Sequence, residues 1–155
     1  MPVLKTKNVK IRGICCALPK DRKTVYEIGE GYFDRETIEK TTSAIGVKYL
    51  YTASEGVTAS DLCFEAAERL IEKLGWERDT IDGILFLTQT PDYKMPATAC
   101  ILQHRLGLSE NCVAMDINLG CSAFVYGVFT AAQFIENATC RRMLVMIGDT
   151  VRSYI

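Results

Sequence analysis

The sequence predicts an α/β protein whose sheet is mixed but mostly parallel, with helices on both faces. Strand-length apolar runs alternate with helix-length segments, and the runs after residue 80 are apolar on both faces rather than on alternate residues. The 155 residues are 48% hydrophobic and 24% charged, the balance of one folded domain with a sizeable core. No internal repeat, low-complexity tract or linker interrupts this pattern.

The first half of the chain holds the clearest predicted helix. The run 9–18 contains β-branched residues and stops at Pro19, which predicts a strand. A short helix is expected at about 33–41 and an extended piece at 45–51. The helix 59–74 is predicted most strongly, because Thr58 can cap its start with Asp61 three residues later and Gly75 can end it.

The second half alternates between strands and helices. The predicted elements are a strand at 81–88, a loop with two prolines, a helix at 97–106, a strand at 112–118, a helix at 122–136 and a strand at 142–149. The crossovers between parallel strands are expected to be right-handed.

Charge and cysteine usage exclude several classes of protein. A net charge of −1 leaves no basic footprint for nucleic acid. The N-terminus has no apolar signal-peptide core, so we expect a cytoplasmic protein whose seven cysteines are reduced. No two cysteines form a C-x-x-C pair and His104 is the single histidine, so we expect no metal site.

One segment has the length of a membrane span. Residues 117–135 carry no formal charge, and about 20 apolar residues suffice to cross a bilayer. The segment includes Asn118, Thr130, Gln133 and two glycines, and its beginning is the end of a predicted strand. We therefore predict a fully buried core helix and no membrane insertion.

Cys121 lies between a predicted strand and a predicted helix, in the segment "DINLGCSAFVYGV" at 116–128. Chemistry in open α/β sheets collects where strand ends meet helix starts. The helix dipole favours a thiolate there, and the first free N–H groups of the helix can stabilise an oxyanion. Position alone leaves two interpretations open, a nucleophile or a small buried thiol.

The segment resembles the active-site motif of β-ketoacyl-acyl-carrier-protein synthase III, a condensing enzyme of the thiolase superfamily, approximately D-[IV]-x-x-x-C-[AS]-G-F-x-Y. Further segments match the family in order: "VKIRGICCALPK", "SAIGVKYLY", "MPATACILQHRLGL" and "MLVMIGDTV". The resemblance covers nearly the whole chain from Val9. It implies that 1–155 is the N-terminal thiolase-like half-domain of an α-β-α-β-α sandwich, with the C-terminal half absent.

The resemblance implies a mechanism and its participants. Cys121 would be acylated by an acyl-CoA and would then be attacked by the carbanion of decarboxylated malonyl-acyl carrier protein, giving a 3-oxoacyl product in fatty-acid or related biosynthesis. Phe124 would contact substrate, and Met95 would reach across a homodimer axis into the partner's acyl pocket. No metal or cofactor is implied, and acyl carrier protein is the implied partner. The catalytic His and Asn would lie in the second half.

Three departures from the family pattern bear on specificity. Lys40 and Ala44 align with the Trp and Arg that often sandwich the CoA adenine, and Ala123 replaces the usual glycine after the nucleophile. His104 lies in a predicted helix where the family has no catalytic residue. The departures predict a different primer or donor. The alternatives are a sibling synthase making a quinolone, ketone or polyketide starter, and a non-catalytic carrier-protein-binding member.

Overall fold

The structure, a computed structural model, describes residue 3 and residues 5–150, which fall into two compact units. One unit contains residues 5–17 and 58–150, and the other contains residues 18–57. The helices and strands are β1 (Asp21–Thr24), α1 (Val25–Gly29), α2 (Arg35–Ile45), β2 (Tyr49–Thr52), α3 (Ala59–Leu74), β3 (Gly83–Leu87), α4 (Thr98–Arg105), β4 (Val113–Ile117), α5 (Ala123–Glu136) and β5 (Met143–Ile147).

A three-stranded parallel sheet forms the centre of the larger unit. Strand β3 lies between β4 and β5, with Gly83 paired to Val113 on one side and to Met143 on the other. Every residue of β3 is buried. Because alternate residues of a strand point to opposite faces, β3 supplies both cores of this unit.

Helices cover both faces of this sheet, as the sequence predicts. On one face, Phe86 packs in a cluster with residues of α3 and α4, including Ile71 and Leu102. On the other face, Leu87 packs with Ala131 of α5. The α/β fold class is therefore confirmed, with apolar strands buried between two helical layers.

Helix α3 begins and ends where its sequence predicts. Thr58 accepts a hydrogen bond from the N–H of Asp61, and the Asp61 carboxylate accepts one from the N–H of Thr58, at 3.2 Å. Gly75 ends the helix with a φ of 61°, a left-handed conformation that glycine adopts without strain. These short-range signals are sufficient because each concerns residues within one turn of the helix end.

The smaller unit contains an antiparallel strand pair and two helices. Strand β1 pairs with β2 so that Asp21 lies opposite Thr52. Helix α2 begins after Asp34, whose carboxylate accepts from the N–H of Thr37, and ends at Gly46 with a φ of 73°. The sequence prediction of 33–41 therefore ends too early. Strand β1 was not predicted because its residues are polar, and α1 was not predicted because it has only five residues.

The predicted strand at 9–18 is wrong for the described residues. None of them lies in a strand, although the segment is rich in β-branched residues. Its inner side packs on α3, where a Cβ added to Gly13 would lie 2.9 Å from Leu70 Cδ1. Ile11 and Ile14 are 65% and 73% exposed. An apolar run becomes a strand only when a neighbouring strand offers it hydrogen bonds, and no described strand does so here.

Helix α5 is only partly buried, so the prediction of a fully buried helix is wrong for its first turn. Phe124, Val125 and Tyr126 are 56%, 57% and 54% exposed, whereas Gly127 and Ala131 are buried against the sheet. Among the described residues, no helix combines the length and apolar character needed to cross a membrane.

Candidate active site

Cys121 lies in the turn that joins β4 to α5. Strand β4 ends at Ile117, α5 begins at Ala123, and the N–H of Ala123 donates to the carbonyl of Gly120 at 2.8 Å, which closes the turn around the cysteine. The Cys121 side chain is exposed. The predicted strand-to-helix joint is therefore present, with its thiol accessible.

The start of α5 supplies free backbone donors beside this thiol. Ser122 makes no side-chain cap, and no described residue accepts a hydrogen bond from the N–H groups of Cys121 and Ser122. Helix α5 has 14 residues, so the peptide dipoles of several turns add at its start. Free N–H groups at a helix start can stabilise negative charge on an oxygen.

Asp116 connects this joint to the next helix. Its carboxylate accepts hydrogen bonds from the backbone N–H groups of Thr98 and Ala99, both at 2.7 Å. The side chain therefore caps the start of α4, where Ala97 provides no cap of its own. This holds the end of the loop that carries Met95 beside the end of β4.

Gln89, at the other end of the same loop, lies against the turn before Cys121. A Cβ added to Gly120 would lie 2.7 Å from Gln89 Oε1, so the amide of Gln89 occupies the space beside Gly120. This end of the loop is held beside the end of β4 by the N–H of Thr88, which donates to the carbonyl of Ile117 at 3.2 Å. Sequence reasoning missed Gln89, although a polar residue directly after a buried strand was an available signal.

A carboxylate at the end of β5 fixes the backbone around Gln89. Asp149 Oδ1 accepts from the N–H of Gln89 at 2.6 Å and from the hydroxyl of Thr88 at 2.9 Å. Thr90 also donates to it, at 3.5 Å. Both threonines are buried. The carboxyl ends of β3 and β5 are therefore tied together.

The two predicted substrate-contacting residues are exposed. Met95 is 87% exposed on the loop before α4, and Phe124 is 56% exposed in the first turn of α5, three residues after Cys121. The structure brings Phe124 to the same helix start as Cys121. It connects Met95 to the joint only through the anchored loop, and a role in binding remains a prediction for both residues.

Three of the other thiols are buried and hard to ionise. Burial raises the pKa of Cys63 to about 11, and the negative charges of Asp149 and Asp92 add to the effect. Burial likewise raises the pKa of Cys112 to about 11. The pKa of Cys140 is also raised, by burial first and then by Asp82. Since the thiolate is the nucleophile, these residues are poor candidates for covalent chemistry.

The remaining predicted positions lie on the surface. His104 is exposed on α4, as expected of a helix residue without a catalytic role, and Lys40 and Ala44 are exposed on α2. Among residue 3 and residues 5–150, no group of His, Cys, Asp and Glu side chains could hold a metal ion.

Comparison with known proteins identifies the relatives of this chain. The family model of 3-oxoacyl-[acyl-carrier-protein] synthase III matches residues 115–155, which include the Cys121 joint. A beta-ketoacyl-[acyl-carrier-protein] synthase III from Rhodopirellula baltica is 38% identical over 143 residues, which cover 92% of this chain and 40% of that protein.

Solved structures show the same relationship. A 3-oxoacyl-(acyl-carrier protein) synthase from Burkholderia xenovorans has a TM-score of 0.84 and 35% identity, covering 92% of this chain and 41% of its own. OleA of Xanthomonas campestris has a TM-score of 0.82 at 25% identity, covering 96% of this chain and 47% of its own. The chain thus spans about two fifths of the synthases it matches. Its resemblance to synthase III and its thiolase-like α/β fold are confirmed.

Proposed function

We propose that this chain, as a relative of the synthase III family, carries the nucleophile of an acyltransferase that condenses an acyl-CoA primer with malonyl-acyl carrier protein. The observation that carries the proposal is the exposed thiol of Cys121 at the start of α5, beside free backbone N–H groups. The similarity to synthase III proteins supports the choice of substrates.

The first half-reaction transfers the acyl group to the enzyme. The Cys121 thiolate attacks the thioester carbonyl, the bond from that carbon to the sulfur of CoA breaks, and CoA leaves as a thiolate that takes up a proton. The negative charge that develops on the carbonyl oxygen faces the helix start, where the N–H groups of Cys121 and Ser122 are available to donate.

The second half-reaction forms the new carbon–carbon bond. Malonyl-acyl carrier protein loses CO₂ when the bond from its α-carbon to the carboxylate breaks. The electron pair of that bond stays on the α-carbon as a carbanion, which attacks the acyl carbon on Cys121. The carbon–sulfur bond to Cys121 then breaks, which releases the 3-oxoacyl product and returns the thiolate. Splitting the reaction through an acyl-enzyme replaces one difficult step with two easier ones.

Met95 has a proposed role in selecting the primer. Its side chain is 87% exposed, and methionine is flexible enough to fit acyl chains of different shape. We place it at the axis of an isologous homodimer, where Met95 of one subunit limits the acyl pocket of the other. Met95→Trp should shorten the longest acyl chain that acylates the enzyme. An unchanged chain-length profile would remove this role.

The direct test is acylation followed by condensation. The complete protein containing this chain is incubated with acyl-CoA, and its intact mass is expected to rise by one acyl group that peptide mapping places on Cys121. Adding malonyl-acyl carrier protein should then yield 3-oxoacyl product. Residues 1–155 alone should not condense, because each missing oxyanion donor costs on the order of 10²–10³ in rate. Condensation by 1–155 at the rate of the complete protein would contradict the mechanism.

A second candidate is a sibling synthase with another donor. This candidate is kept because the chain is also similar to OleA, which covers 96% of it at a TM-score of 0.82. Both candidates use acyl-Cys121, so acylation does not separate them. Mass spectrometry of the products formed with malonyl-acyl carrier protein and with malonyl-CoA distinguishes the donors, and absence of acylation would favour a carrier-binding protein.

A further inference from the structure

The backbone N–H of Gln89 is held by a hydrogen bond, whereas its side-chain amide is not. Its backbone N–H is held by Asp149 at 2.6 Å, and its neighbours Thr88 and Thr90 are buried, so their side chains point into the protein. Gln89 itself is exposed. The Gln89 side chain therefore lies outside the core, against Gly120 in the turn that precedes Cys121.

Gly120 makes room for this amide. A Cβ added there would lie 2.7 Å from Gln89 Oε1, 3.0 Å from Cδ and 3.3 Å from Nε2, so any larger residue would have to displace all three atoms. The whole amide therefore lies against the residue that directly precedes Cys121.

The side-chain amide of Gln89 makes no hydrogen bond to the part of the chain that the structure describes. No described residue donates to or accepts from the Gln89 side chain, which leaves two N–H donors and one carbonyl acceptor unused. The nearby core face is apolar and includes Leu87, Leu119 and Ala123. A free amide beside an apolar surface and an accessible nucleophile is suited to recognise a polar group on whatever becomes attached to that nucleophile.

We infer that Gln89 determines primer specificity by hydrogen bonding to an oxygen on the second or third carbon of the acyl group. The inference rests on the proposed function, since it requires an acyl group on Cys121. It adds a substrate class, acyl thioesters with a hydroxyl or carbonyl group near the thioester. A site that hydrogen-bonds such a group discriminates against the analogue that lacks it, because the amide then loses its partner.

The test compares two primers of equal length. The complete protein is mixed with 3-hydroxybutyryl-CoA or butyryl-CoA, and the rate of Cys121 acylation is followed by intact mass. The hydroxylated primer should react faster, and Gln89→Leu should reduce its advantage by about tenfold, roughly the net value of one hydrogen bond. The butyryl rate should stay the same or rise.

Gln133→Leu is the matched control, because it removes the same amide from α5, 12 residues beyond Cys121, and should leave the ratio unchanged. If Gln89→Leu does not fold, Gln89→Met repeats the test with a side chain of similar length. If the ratio of acylation rates with 3-hydroxybutyryl-CoA and butyryl-CoA is the same in the wild type and in the Gln89 variant, the inference is overturned and the proposed function is left intact. Failure of both primers to acylate wild-type Cys121 overturns both.

Discussion

The two ends of the parallel sheet carry cysteines in opposite environments. At the carboxyl end, Cys121 is exposed in the turn before α5. At the amino end, Cys112 and Cys140 are buried, and the Cys140 thiol donates to the carbonyl of Asp82 at 3.6 Å. The same side chain is accessible at one end and held protonated at the other. Burial and neighbouring charge therefore decide the chemistry of a thiol here, as they also do for Cys63, which is buried beside Gly148 at the carboxyl end and has a raised pKa.

The physical reason is burial together with local charge. Parallel strands bring their carboxyl ends to one edge, where the exposed Cys121 lies beside free N–H groups at the start of α5. At the opposite edge, burial is the largest cause of the raised pKa values of Cys112 and Cys140, and the Asp82 carboxylate adds to it by opposing a second negative charge. Four predictions test this contrast.

Removing the thiol at the carboxyl end should have the largest effect. Cys121→Ala should lower condensation by the complete protein at least about 10³-fold, since no covalent intermediate can form. Cys112→Ala removes a thiol of equal size from the other end and should leave acylation nearly unchanged. Product formation measured by mass spectrometry checks both variants. Comparable losses of condensation activity in the two variants would show that the thiols at the two ends do not differ in function.

Cys112 should be labelled about 100-fold more slowly than an accessible thiol of ordinary pKa. A pKa near 11 rather than the ordinary 9 leaves Cys112 with about 100-fold less thiolate at neutral pH. Iodoacetamide at pH 7 followed by peptide mapping should modify Cys121 first in the complete protein. Faster modification of Cys140 or Cys15 would show that the nucleophile is assigned to the wrong cysteine.

Alkaline pH should weaken the fold through its buried thiols, and Cys112 reports the contribution of the amino end. Because the folded pKa of Cys112 is raised to about 11, its protonated form stabilises the protein fully below pH 9, and this contribution disappears as pH rises through 11. The contribution of Cys112 to the free energy of unfolding, measured with urea, should fall by about 2–3 kcal/mol over this window. Cys112→Ala should flatten the decline and Cys121→Ala should not; equal slopes in all three proteins would argue against a raised pKa.

Weakening the cap of α4 should have the smallest effect. Asp116→Asn replaces one of the two carboxylate oxygens that accept from Thr98 and Ala99 with a donor. We expect a loss of about 1 kcal/mol in the free energy of unfolding. Acylation of Cys121 should slow only a few-fold, with the larger change for bulky primers that contact the Met95 loop. Asp79→Asn, at a surface 3₁₀ turn, is the control. An unchanged unfolding midpoint for Asp116→Asn would show that the cap does not stabilise the loop.

Local signals in the sequence were sufficient for much of this chain. The helix after Thr58, the alternation of buried strands with helices and the turn at Cys121 follow from caps, glycines and apolar runs that act within a few residues. The motif around Cys121 also sufficed to recognise the family resemblance, because the nucleophile, the helix start and the neighbouring small residues are contiguous. These features depend on short-range sterics and hydrogen bonds, which the sequence specifies directly.

Other features depended on residues far apart in the chain. The run 9–18 has strand propensity but no strand beside it among the described residues, and β1 forms from polar residues because β2 pairs with it. The placement of Gln89 against Gly120, the capping of α4 by Asp116 and the pKa values of the buried thiols arise only when separate strands meet at one edge of the sheet. Sequence determined which side chains were available, whereas tertiary structure decided their neighbours, because desolvation and hydrogen-bond partners are properties of packing.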